Sequence, residues 1–343
     1  MTINSQSSHS SNPKVAVTSV SFGGSAVLRE ELLRVFPNSI FNELGKKLSG
    51  QILNEFINDA DAAIVGTETI DETTLNGTAN LKIISKYGVG LDSIDQDLLK
   101  NRNIILGWTG GVNRRSVSEL TLCFMLGLCR NIFESGFKLK NSDWEKEGGH
   151  QLSGKTVGII GCGHIGSDVV KLLAPLDCTV LVRDIVNKSD FCREQGASEV
   201  SLEEVIERSD IISLHIPLTK LTRHIVNEDF LQKMKSTAFL VNTCRGEVID
   251  QKALKNALGQ RVIKGAALDV FIETSHRRGI SIPAQPHCHP SHRRKRQRSG
   301  GSYGPLRYQP PRFILQQAGQ INYSHPAKVL FATVASTFTG GNE

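Results

Sequence analysis

Apolar residues in this chain recur in short, β-branched runs, each followed by a stretch with helical spacing. Lys14-Val-Ala-Val-Thr-Ser-Val-Ser-Phe22 alternates at period two and predicts a first strand, with a helix over residues 26–35 behind it. Residues 44–56 predict another helix, and Ala62-Ala-Ile-Val65 a short buried strand. Leu81-Lys-Ile-Ile-Ser-Lys-Tyr87 and Asn103-Ile-Ile-Leu-Gly107 predict two more. Residues 117–137 predict one long helix, with Ser116 as N-cap and Glu119 closing a capping box. After a polar loop over 144–151, strands are expected at 157–160, 178–184, 209–217, 238–246 and 265–271. Strands alternating with helices at this spacing argue for parallel sheets with βαβ crossovers.

One strand end carries chemistry. Val157-Gly-Ile-Ile-Gly161-Cys-Gly163-His164-Ile165-Gly166 is a strand, a glycine turn and a helix start, which lifts GxGxxG above a chance match. Gly161 permits the tight turn, Gly163 lets backbone approach a pyrophosphate, and Gly166 lets helix pack closely on strand. The helix N-terminus then favours phosphate charge. Asp184 ends the next strand roughly 20 residues on, where a carboxylate accepts from ribose hydroxyls. The expected fold class is therefore α/β, with two Rossmann-like or flavodoxin-like parallel-sheet domains, the second binding a dinucleotide. Ligands in such sheets sit at the carboxyl ends of the strands, which brings His215, Thr243, Arg245 and Asp269 to the crevice the glycines face.

Composition narrows the picture. The 343 residues, 39% hydrophobic and 22% charged, suit about two globular domains. No apolar run is long enough to span a bilayer, and the polar, Ser-rich first 13 residues do not read as a signal peptide. Seven cysteines without a CxxC pair fit a reducing cytoplasm and offer no zinc framework. The net charge of +6 arises late, because no Asp or Glu occurs from Thr274 to Asn342. Neither a nucleic-acid partner nor a membrane is therefore expected from the pI.

The motifs Lys86-Tyr-Gly-Val-Gly-Leu-Asp92, Asn113-Arg-Arg-Ser-Val-Ser-Glu119, the glycine fingerprint, His215-Ile-Pro217-Leu-Thr219, Asn242-Thr-Cys-Arg245-Gly246 and Gly265-Ala-Ala-Leu-Asp269-Val-Phe271 occur in one order. In these, the chain resembles the D-isomer-specific 2-hydroxyacid dehydrogenases, and their phosphoglycerate dehydrogenase branch, over residues 14–273. The resemblance implies an N-terminal substrate domain (14–113) after a tail (1–13), an NAD domain (114–275), and a homodimer. It implies NAD contacts from Gly161, Gly163, His164, Ile165, Gly166, Asp184, His215, Pro217, Thr243, Cys244, Arg245 and Asp269. It assigns a small 2-hydroxy or 2-oxo acid to Val89, Gly90, Asn113 and Arg245, with Arg245 and Glu273 catalytic and no metal. Arg245 suits the substrate carboxylate because a guanidinium presents a fork of donors. His215 reads equally as a satisfied core histidine, and Arg114 and Arg115 as a phosphate clamp or a solvated face. Where family members using 3-phosphoglycerate carry an arginine after the strand at 62–65, this chain has Gly66-Thr-Glu-Thr69.

The pattern breaks after Phe271. The family's proton shuttle is a histidine in Thr-Pro-His-x-Gly-Gly, tuned by a glutamate five residues past the aspartate. Here Glu273 stands four past Asp269, and residues 276–343 turn basic and Pro-rich with no such motif. Codon degeneracy lets His289-Pro-Ser-His292-Arg-Arg-Lys-Arg296 encode Thr-Pro-His-Ile-Gly-Gly-Asn in a shifted frame, and Thr274-Ser275 encode Pro-Pro in the same one. A frameshifted C-terminus is the expectation. A catalytically impaired NAD-binding remnant is then the alternative to an active dehydrogenase.

Overall fold

The computed structural model describes residues 12–144 and 148–272. Glu273 and the basic stretch that follows it lie outside them. The chain forms two parallel sheets. The first has β1 (Val15–Val17), β2 (Ser39–Phe41), β3 (Ala62–Val65), β4 (Ile83–Lys86) and β5 (Ile105–Gly107) in the order β2-β1-β3-β4-β5. Helices α1 (Val20–Gly23), α2 (Ala26–Val35), α3 (Gly50–Ile57), α4 (Glu72–Leu75) and α5 (Gln96–Asn101) connect these strands. Val15, Val17, Ala62, Ile64 and Ile83 face one apolar layer, and Ala16, Ala63, Val65 and Ile84 the other. Burial on both faces explains why these strands read as continuous apolar runs.

The second sheet runs β11-β10-β9-β6-β7-β8, from β6 (Thr156–Ile160), β7 (Thr179–Arg183), β8 (Ser198–Glu199), β9 (Ile211–Leu214), β10 (Phe239–Asn242) and β11 (Gly265–Leu268). It carries α6 (Arg114–Cys129), α7 (Ile132–Lys140), α8 (His164–Leu173), α9 (Ser189–Gln195), α10 (Leu202–Arg208), α11 (Glu228–Lys233) and α12 (Gln251–Gly259). Every pairing in both sheets is parallel.

Three local expectations are corrected. The strand predicted over 14–22 ends at Val17, because the Ser19 hydroxyl accepts from Phe22 N and caps α1. The helix predicted over 117–137 is two helices. Asn131 takes a left-handed φ of 53° between them, and α7 turns 71° away from α6, with the Phe133 ring against Gly127 where any Cβ would strike it. The capping box at Ser116 does not form. The helix already starts at Arg114 with Asn113 as N-cap, and Ser116 sits in its first turn. Met125, Leu128 and Cys129 on α6 join the core of the second sheet, which places this helix with that domain. Among the described residues no single helix is long and apolar enough to cross a membrane.

Candidate active site

The glycine turn leaves β6 with Gly161 at φ +92°, a left-handed conformation that excludes most side chains. Its N–H donates to Arg183 O at 2.8 Å, and a Cβ there would stand 2.5 Å from His215 O. A Cβ on Gly166 would overlap the Gly161 carbonyl, so α8 rests directly on the turn. Gly163 is different. Nothing lies within 4 Å of where its Cβ would be, and it caps α8 without a side-chain bond. That open face beside unsatisfied helix N–H groups is the shape of a diphosphate cradle. Asp184 is already docked on the turn: its Oδ2 accepts from Cys162 N at 2.6 Å and its Oδ1 from Val186 N at 2.9 Å. Burial pushes the Cys162 thiol up to about 11, so this cysteine packs and does not react. Ile165 is partly buried against the same core. His164 projects toward the other domain, where a Cβ on Gly111 would stand 2.6 Å from its Cγ.

The ends of β9, β10 and β11 gather the expected polar residues. His215 N donates to Ile160 O, and the ring Nε2 lies 2.9 Å from Ser213 Oγ. Its Nδ1 is buried with no partner, and burial lowers the imidazole to about 4. His215 is thus tied into the sheet on one nitrogen and open on the other. Pro217 heads a loop in which its carbonyl accepts from Thr222 Oγ1 at 2.6 Å. After β10, Asn242 clamps the turn that holds the guanidinium: its Oδ1 accepts from Cys244 N at 3.0 Å and its Nδ2 donates to Arg245 O at 2.8 Å. The Thr243 hydroxyl lies 3.0 Å from Thr121 Oγ1 on α6, and burial raises the Cys244 thiol. Asp269 N donates to Asn242 O at 3.0 Å, and desolvation raises its carboxyl above the ordinary range.

Arg245 reaches the first domain. Its Nε donates to Asp92 Oδ2 at 2.6 Å, its Nη2 lies 2.5 Å from the same oxygen as an ion pair, and its Nη1 donates to Cys244 O at 2.7 Å. A guanidinium has five N–H donors, so both terminal nitrogens keep N–H groups that no described residue takes. Gly90 lies so close that a Cβ would strike Arg245 Nη2. The Val89 and Gly90 N–H groups make no hydrogen bond with another described residue, whereas Val89 O accepts from Trp108 Nε1 at 3.1 Å. Beneath them Lys86 Nζ donates to Gly66 O, and Glu68, almost fully buried, accepts from Gly66 N at 2.5 Å. Burial lowers the Lys86 ammonium against the opposing pull of Glu68 and Asp92. Asn113 Oδ1 is buried without a partner at the start of α6. Arg115 pairs with Asp168 on α8 at 2.9 Å, which ties α6 to α8 within the second domain. Sequence reasoning missed Asp92, Trp108, Thr121 and Glu68. Asp92 stood inside a quoted motif, but its partner lies 153 positions away.

Two parallel sheets, a diphosphate cradle with a docked acid, and an arginine facing free backbone donors across a cleft define a dinucleotide-dependent oxidoreductase acting on a carboxylate. The family model "D-isomer specific 2-hydroxyacid dehydrogenase, NAD binding domain" matches residues 122–291. The glyoxylate reductase of Thermofilum pendens is 40% identical over 223 residues, 63% of this chain and 66% of that one. The D-3-phosphoglycerate dehydrogenase of Methanocaldococcus jannaschii is 35% identical over 72% of this chain and 48% of its own length. The chain therefore spans about two thirds of the first relative and about half of the second. Among solved structures, the Aquifex aeolicus D-lactate dehydrogenase complexed with NAD and lactic acid superposes with a TM-score of 0.67. It is 28% identical and covers 76% of this chain and 77% of that one. The chain belongs to the D-isomer-specific 2-hydroxyacid dehydrogenase family, NAD-dependent enzymes that interconvert 2-hydroxy and 2-oxo acids.

Proposed function

We propose that this chain interconverts a small, unphosphorylated 2-oxo acid of the glyoxylate type and its D-2-hydroxy acid. The observation that carries the substrate class is the charge around Lys86. The segment after β3 supplies Glu68 in place of an arginine, Lys86 is engaged by Gly66 O, and Arg115 is taken by Asp168. A phosphate on the substrate's far carbon would meet a buried carboxylate there. The free N–H groups on the terminal nitrogens of Arg245 and the Val89 and Gly90 N–H groups grip the substrate carboxylate and polarise its carbonyl. Gly163 and the first turn of α8 take the cofactor diphosphate. Asp184 takes the ribose and disfavours an added phosphate, and Asp269 lies at the nicotinamide end. NAD, when bound, supplies or accepts the hydride. Glu273, the expected glutamate of the family's acid/base pair, lies outside the described residues, and the chain carries no Thr-Pro-His-x-Gly-Gly to supply its histidine.

A homodimer is supported by α7, which buries none of its residues and leaves Ile132, Phe133, Phe137 and Leu139 exposed beside Trp144. Six free cysteines among the described residues support a reducing, cytoplasmic setting. The absence of Thr-Pro-His-x-Gly-Gly favours a second reading, a chain that binds NADH and does not turn over. The test is NADH consumption with glyoxylate, hydroxypyruvate and 3-phosphohydroxypyruvate, run beside calorimetric NADH binding. The expected result is turnover that favours the unphosphorylated acids and falls roughly a hundredfold in Arg245→Lys, which lacks the planar fork. Preference for the phosphorylated acid overturns the substrate class. NADH binding without consumption by any acid selects the second reading.

A further inference from the structure

Two aromatic rings from different domains meet over a pair of glycines. Trp108 follows β5, and its indole N–H donates to Val89 O at 3.1 Å, across the loop whose next N–H groups face the cleft. The far edge of the same ring lies on the backbone of Gly110: a Cβ there would stand 3.0 Å from Trp108 Cη2. His164 reaches the same point, with Nε2 3.3 Å from it, and Gly111, at φ +71°, lies directly against the imidazole. His164 is the first residue of α8, inside the diphosphate turn. The glycines are therefore a strap with no Cβ, on which the indole and the imidazole both rest. Neither ring is needed for the core, since Trp108 is 43% exposed.

We infer that Trp108 is a positioning residue for the substrate loop, and that the Gly110–Gly111 strap passes the state of the cofactor turn, through His164, to Val89 and Gly90. The chain of contacts is short and built from groups with few alternative positions. Filling the diphosphate turn fixes the imidazole; the imidazole fixes the strap; the strap seats the indole, which holds the Val89 carbonyl and so aims the Gly90 N–H of the same peptide and the Val89 N–H just before it. The carboxylate half of this inference rests on the proposed function, while the link from the turn to Trp108 does not. The chain has two tryptophans, so Trp144→Phe leaves Trp108 as the sole indole reporter.

Two measurements test it. In the Trp144→Phe protein, ADP-ribose, which carries the diphosphate without nicotinamide, is expected to change Trp108 emission. Adding His164→Ala is expected to abolish the change at ADP-ribose concentrations that calorimetry shows to be saturating. In the NADH-loaded protein, Trp108→Phe keeps an aromatic ring after β5 but loses the N–H and the outer edge that reaches Gly110. It is expected to weaken oxamate binding about three- to tenfold, the worth of one hydrogen bond, with NADH affinity unchanged. Unchanged oxamate affinity in Trp108→Phe, or saturation by ADP-ribose with no change in Trp108 emission, overturns the inference. An NADH-loaded wild type that ignores oxamate while Trp108 still answers ADP-ribose supports the strap and overturns the carboxylate reading of the cleft.

Discussion

The two turns that face the cleft are held in opposite ways. The cofactor turn, Gly161 to Gly166, is closed by its own neighbourhood: Gly161 N bonds to Arg183 O, Asp184 docks on Cys162 N, and α8 sits on the Gly161 carbonyl. The substrate loop, Gly88 to Asp92, is held from outside. Arg245 grips Asp92, the Trp108 indole holds the Val89 carbonyl, and Gly90 lies against the guanidinium. A locally closed turn is formed before any ligand arrives, whereas a loop held across a domain boundary depends on how the two domains meet. Under the proposed function, the locally closed half takes the cofactor and the half held across the boundary takes the acid.

The sharpest way to break that contrast is inside the rigid turn. Gly166→Ala places a methyl against the Gly161 carbonyl and is expected to cost about 3 kcal/mol in urea unfolding and to abolish NADH binding. Gly163→Ala, three residues earlier, meets open space and is expected to change stability by less than about 0.5 kcal/mol while still weakening NADH. Equal unfolding free energies for the two variants would remove the distinction between supporting and ligand-facing glycines.

The next largest effect concerns His215. Its imidazole is lowered from 6.5 to about 4 by burial, so between those values the unfolded chain binds a proton that the native one does not. The contribution to stability is complete above pH 6.5 and is lost as pH falls toward 4, up to about 3 kcal/mol at about 1.4 kcal/mol per unit. Melting temperatures from pH 7 to 4 should therefore fall more steeply for wild type than for His215→Gln, which cannot take the charge. Parallel curves would place the imidazole in contact with solvent.

The smallest effect is at the tie between α6 and α8. Arg115→Ala leaves the Asp168 carboxylate nearly buried with neither oxygen paired, because its Oδ2 already lacks a partner. A loss of about 1–2 kcal/mol is expected, with most of it restored by adding Asp168→Asn. A deficit that Asp168→Asn does not relieve would show that Arg115 acts through its packing and not its charge.

Much of this was legible in the residues. The buried strands of both sheets announced themselves as β-branched runs, and the fingerprint gave the turn, the helix start and the acid at their right spacing. Boundaries were less legible. The first strand stopped early because Ser19 prefers to cap a helix, and the long helix broke because Asn131 tolerates a left-handed backbone; both are properties of single residues that a periodicity averages away. The site was half legible. Arg245 stood out in its motif, yet Asp92, Thr121 and Trp108 could not, since each matters through a partner on a different element.

The sequence by itself determined the two-sheet architecture, the cofactor turn with Asp184, and the family, because each is written in neighbours along the chain: apolar period, glycine spacing, motif order. Only the tertiary structure decided what holds Arg245, which cations remain free for a substrate, and how the cofactor turn touches the substrate loop. Those depend on residues between 19 and 153 positions apart, brought within hydrogen-bond distance when the strands and helices pack. No local pattern encodes such distances, because they follow from how the layers stack.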